Sequence, residues 1–161
     1  MSRTIGCLAL MGLLCVTAAA EDKKPFSGEG WSAVFPMPPK PDEATKDLDL
    51  KLWAYETEKG GLLVGVAKLK AAVAPEQQAE YLKSAKAGAL KQSQAFEEKE
   101  IPVPAKDAIA FEAKVKNGKL RQHIYVRGDT MFQAVVVGEE AFVDSPEAKK
   151  FLESFKLDAA K

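Results

Sequence analysis

The chain has 161 residues with 23 Lys+Arg, 23 Asp+Glu and one histidine, and its two cysteines, Cys7 and Cys15, both fall in the first twenty residues. Removing those twenty, with Arg3 as their one charge, leaves 141 residues carrying 22 basic against 23 acidic side chains and no cysteine. That composition excludes a disulfide framework, a zinc ribbon, an iron–sulfur or dithiol protein and a thiol enzyme, and it offers no basic footprint for nucleic acid.

Arg3, the apolar run Ile5 to Val16 and the small residues Thr17-Ala18-Ala19-Ala20 have the order of a secretory leader. Ala18 and Ala20 place cleavage after Ala20, so residues 1–20 are expected to be a signal peptide. The alternative is a retained anchor, but Ile5 to Ala20 is shorter than the roughly 20 apolar residues a span needs. Leu14 before Cys15 does not fit lipoprotein processing. The chain is therefore expected to be exported, to the periplasm or the extracellular space, with no membrane span after cleavage.

Residues 21–30 are polar, with Pro25, Gly28 and Gly30, and read as a flexible tail ahead of a single domain over 31–158. Trp31 to Phe35 is a short strand that stops at Pro36-Met37-Pro38-Pro39-Lys40-Pro41, where proline cannot donate to a ladder and favours an extended loop. Pro-x-x-Pro spacing occurs there, and in an exported protein it suits a stiff connector or contact rim. Leu48 to Glu56 alternates, with Leu50, Leu52 and Ala54 on one face and Trp53 and Tyr55 on the other. Thr57 to Gly61 turns the chain into a second strand, Leu62 to Leu69.

A helix is expected from Pro75 to Ser93, with Tyr81, Leu82, Ala85, Ala89 and Leu90 as its apolar stripe. Phe96 to Val103 reads as a polar edge strand. Ala108 to Lys116 and Lys119 to Arg127 then flank Asn117-Gly118, the dipeptide favoured in two-residue hairpin turns. Counting outward from that turn pairs Val115 with Leu120, Phe111 with Ile124, Glu112 with His123 and Ala110 with Tyr125. After Gly128-Asp129, Thr130 to Val137 is apolar on both faces and belongs in the middle of a sheet. Asp144-Ser145-Pro146-Glu147 opens a last helix to about Ser154, presenting Phe151, Leu152 and Phe155. The expected fold is α+β, a three-layer α/β/α sandwich with a mainly antiparallel sheet and one helix on each face.

The strand Trp31-Ser32-Ala33-Val34-Phe35-Pro36-Met37-Pro38, the central helix, the meander and the closing segment Ser145 to Leu157, with its Phe151-Leu152-Glu153-Ser154-Phe155, resemble the PsbP/Mog-like superfamily. The resemblance covers Trp31 to Leu157 and implies an α/β/α sandwich with an antiparallel sheet. It also implies a binding or accessory role, since members include a subunit of the photosynthetic oxygen-evolving complex, a partner of a small nuclear GTPase and many exported bacterial proteins.

Chemistry is sparse along the chain. His123 is the sole imidazole, and the expected register sets it opposite Glu112 with Tyr125 on the same face; it is either a His–Glu pair in a small pocket or a packed strand histidine. Asp49 and Lys51 beside Trp53 and Tyr55 could rim a recognition surface. The carboxylates Asp47/Asp49, Glu97/Glu98/Glu100 and Glu139/Glu140 lack calcium-loop spacing, no Gly-x-Ser-x-Gly elbow exists, and the glycines form no phosphate loop. Arg127-Gly128-Asp129 at a hairpin tip is ordinary turn chemistry. The expectation is a non-enzymatic binding or accessory domain of the cell envelope, without cofactor or metal, whose partner is a protein or envelope component and not nucleic acid. The alternative is a small-ligand carrier or sensor, its pocket between helix and sheet near Trp53, Tyr55, Glu112, His123 and Tyr125. A hydrolase built on His123 and Glu112 is a third reading.

Overall fold

A computed structural model describes residues 23–42, 49–103 and 105–159, so the expected leader and its cleavage point lie outside the described residues. Ten strands and three helices follow in chain order: β1 Phe26–Gly28, β2 Trp31–Ala33, β3 Lys40–Asp42, β4 Leu50–Thr57, β5 Gly60–Lys68, α1 Gln78–Gln92, β6 Phe96–Glu100, β7 Ala108–Val115, β8 Gly118–Arg127, β9 Thr130–Gly138, α2 Glu140–Val143, α3 Pro146–Ser154 and β10 Lys156–Leu157. Among the described residues, seven strands form one antiparallel sheet in the order β3-β4-β5-β9-β8-β7-β6, and β1, β2 and β10 form a second sheet with β2 in the middle. β1 falls within the stretch the sequence assigns to a tail.

This architecture corrects the expected α/β/α sandwich with one helix per face. The protein is mainly β. Seven strands about 4.8 Å apart span roughly 29 Å, whereas a helix is about 10–12 Å across, so one helix covers only part of such a sheet. α1 packs chiefly on β7 and β8, through Leu82, Tyr81 and Ala85 against Phe111, Leu120 and Ile124. The opposite face is covered by the small sheet together with α2 and α3, and no single helix serves as its layer. Strands of two or three residues have too few positions to show a period, which is why the sequence hides this second sheet.

β9 occupies the centre of the large sheet, as its doubly apolar pattern requires. Phe132, Ala134 and Val136 point toward the small sheet and α3, while Met131, Val135 and Val137 pack toward the α1 side. The first cluster is built around Trp31, whose ring lies 5.1 Å from that of Trp53 and 6.1 Å from that of Phe155. Phe151 is fully buried beside Phe35, and burying a side chain of that size contributes about 1.5–3 kcal/mol. α3 starts where the sequence places it: Ser145 caps it by accepting from the Ala148 amide at 3.2 Å, with Pro146 in the first turn. Ser154 at its other end accepts from the Val34 amide at 2.8 Å and so ties α3 to the segment after β2.

The β7–β8 hairpin exists, but its register is two residues away from the expected one. Val115 pairs with Gly118, Ala113 with Leu120, Glu112 with Arg121, Ala110 with His123 and Ala108 with Tyr125. The loop residues are therefore Lys116 and Asn117, and Gly118 is the first residue of β8. A Cβ on Gly118 would lie 2.0 Å from the Gly138 carbonyl oxygen of β9, so glycine here serves a close strand approach and not the turn. A shift of two preserves which side chains share a face, so the apolar partition survives while every cross-strand partner changes.

Candidate functional site

Trp53, Tyr55, Glu112, His123 and Tyr125 all lie on the face of the large sheet that looks toward the small sheet, α2 and α3, because residues two apart on a strand share a face. They do not converge. Trp53 and Tyr55 sit on β4 and pack against the Trp31 cluster, with β5 and β9 between them and β8. His123 is flanked on the sheet by Ala110 and Ala134, its ring 6.4 Å from that of Tyr125.

The expected His123–Glu112 pair is replaced by a different arrangement. Glu112 is held by Arg121, opposite it on β8, and by Lys119 at 3.0 Å. The same two cations reach Asp144, at the corner between α2 and α3: Arg121 at 2.8 Å and Lys119 at 3.1 Å. The four side chains form a neutral clamp that fixes that corner to the hairpin. Burial pulls the Glu112 carboxyl up, but the hydrogen bonds from Arg121 and Lys119 outweigh it and leave its pKa below the usual value; Asp144 is lowered in the same way, and Lys119 is raised. Glu112 is thus engaged in holding structure.

His123 is 8% exposed, and its Nδ1 is buried with no hydrogen-bond partner among the described residues. Burial, helped by the positive charge of Arg121, pushes its pKa down to about 4. Tyr125 Oη and Trp31 Nε1 are likewise buried without partners among the described residues, and burial raises the Tyr125 phenol to about 12. Among the described residues no carboxylate is hydrogen-bonded to this imidazole to orient it.

Three clefts lie elsewhere, around the segment Pro36 to Pro41. One cleft of about 470 Å³ is lined by Met37, Pro38, Pro41 and Tyr55, and a second of about 640 Å³ by Pro36, Tyr55, Lys59, Glu139, Phe142 and Glu147. A third of about 360 Å³ is bounded by Lys23, Lys24, Phe26, Phe35, Met37 and Pro38. Tyr55 lines two of them; Trp53, Glu112, His123 and Tyr125 line none of these three. Met37 stands between the first and third at 62% exposure. The ridge exists because the chain leaves the sheet there. Among the described residues β3 pairs Lys40 to Asp42 with Ala54 to Leu52, and the prolines before Lys40 supply no amides to continue along β4. Lys23 braces the ridge by donating to the Pro36 carbonyl at 2.8 Å.

The sequence marked Pro36–Pro41 as a contact rim, Tyr55 as a candidate and Glu139 only as one of a pair of carboxylates, and it gave no sign that Lys23, Lys24 and Glu147 would join them from distant parts of the chain. The Arg127-Gly128-Asp129 tip is engaged internally, with Arg127 bonded to Asp107 at 2.9 Å and Asp129 to Lys68 at 3.0 Å. Among the described residues no group of three or more His, Cys, Asp or Glu could hold a metal ion, and no helix is long and apolar enough to cross a membrane.

No family model matches the sequence, and no curated protein matches it. A crystal structure from Bacteroides thetaiotaomicron VPI-5482, solved at 1.50 Å resolution, is similar to this chain at 14% identity with a TM-score of 0.47, over 85% of this chain and 49% of that one. The chain spans about half the length of that neighbour.

Proposed function

We propose that the protein is an exported, non-enzymatic binding domain of the cell envelope that engages a protein partner through the Pro36–Pro41 ridge. The observation that carries this reading is the convergence of three clefts on one rigid, proline-built rim with Met37 exposed at its crest. Proline fixes the backbone in advance, so little chain entropy is lost on binding, and an exposed methionine adapts to an apolar partner surface. The engagement of Glu112 in the clamp and the burial of His123 away from any carboxylate support a binding role over a hydrolytic one.

The resemblance to the PsbP/Mog-like superfamily belongs to the same proposal on its sequence segments alone, without the sandwich of one helix per face that was expected from it. The two segments that carry the resemblance meet in space: β2 pairs with β10, and Trp31 lies against Phe155.

Capture from the native envelope tests the function, with wild-type protein and Met37→Glu as paired baits. The expected result is a stoichiometric partner on the wild type that is reduced at least tenfold on the variant. Equal recovery on both baits would remove the ridge as the binding surface.

A further inference from the structure

The clefts differ in charge: the one at Met37 and Tyr55 is lined by Lys40 and Glu56, while the two that share Lys23 and Pro36 differ in sign. On the β1 side the lining charges among the described residues are Lys23 and Lys24, beside the apolar Phe26, Phe35 and Met37. Beyond Pro36 the lining turns acidic, with Glu58, Glu139 and Glu147 against Lys23 and Lys59. Lys23 and Pro36 line both clefts, so the two are neighbours along one path. A cationic, aromatic-walled end therefore adjoins an acidic end over a ridge that has few amides to offer.

We propose that this path takes an extended peptide segment of the partner that is charged at both ends. Its acidic side chain lies at Lys23 and Lys24, an apolar side chain enters between Phe26 and Met37, and a basic side chain reaches Glu139 and Glu147. The inference rests on the ridge being the binding surface and adds which chemistry it selects. Complementary charge fixes the direction and register of a bound segment more than it adds affinity, and the apolar contact between the charges supplies the attraction. An anionic membrane is the less suited occupant. Two lysines are a weak electrostatic anchor at such a surface, and the glutamates of the adjoining cleft would be driven against the same negative charge.

Selection of a random dodecapeptide library on phage against the full chain tests the proposal. The expected clones carry an acidic residue beside an aromatic or aliphatic one and a basic residue further along. They should bind Lys24→Glu at least fivefold more weakly, and synthetic versions with the acid changed to lysine should regain affinity for Lys24→Glu. Clones without an acidic residue, binding that ignores Lys24→Glu, or no enrichment at all would each overturn the proposal. So would binding of phosphatidylglycerol vesicles through the same lysines with no selected peptide, which gives the surface to a membrane. Failure here is separable from failure of the ridge: if Met37→Glu abolishes envelope capture while Lys24→Glu leaves it unchanged, only the charge pattern falls.

Discussion

His123 illustrates what one side chain contributes when it is buried neutral. Its folded pKa is about 4 against an unfolded value near 6.5, so between those values the unfolded chain holds the extra proton. Stability is then fully present above about pH 6.5 and falls by about 1.4 kcal/mol per pH unit as the pH drops toward 4, a total of about 3 kcal/mol. Urea denaturation across that window should show this slope in the wild type and lose it in His123→Leu; an unchanged slope in the variant would refute the assignment. Tyr125 gives a second test at this scale. Its hydroxyl is buried without a partner, so Tyr125→Phe should leave stability within about 0.5 kcal/mol or raise it, where removing a paired hydroxyl costs about 1 kcal/mol. The sequence identified both residues and their shared face, because strand alternation is local. It misassigned the partner of His123, because the partner depends on a turn whose register is decided by a contact with β9.

At the scale of elements, that contact is Gly118 against Gly138. A Cβ at 2.0 Å from the Gly138 oxygen cannot be accommodated by a rotamer change, so Gly118→Ala should cost about 2 kcal/mol or more by chemical denaturation. Gly88 in α1 is the opposite case: an added Cβ meets nothing within 4 Å, and Gly88→Ala should stabilise by about 0.5–1 kcal/mol through helix propensity. If the two substitutions behaved alike, the account of the hairpin register would be wrong. α1, α3 and the meander β7–β8–β9 were legible because each carries its own period, cap or turn. β2 was legible as a short strand, but its partners β1 and β10 were not, since strands of two or three residues are held by tertiary packing around Trp31 and leave no repeating pattern in the sequence.

For the whole molecule, the layer count follows from width. A seven-stranded sheet cannot be closed by one helix per face, and the chain covers one face with two short helices and a small sheet whose strands come from both ends of the domain. Phe151 links these parts, so Phe151→Ala should cost about 3–5 kcal/mol while unfolding remains a single transition; two separate transitions would mean that the small sheet is not part of one core. The same end-to-end assembly produces the ridge, where Lys23, Tyr55 and Glu147 come together from positions far apart in sequence. Its proline content and Tyr55 were visible beforehand; their meeting with Lys23 and Glu147 was not. Its role as the binding surface is the central claim, and site-specific photocrosslinking in the native envelope tests it most directly. A photoreactive residue at position 37 should give one discrete adduct that the same residue at position 84, on the exposed side of α1, does not give. Adducts from position 84 with none from position 37 would contradict the account.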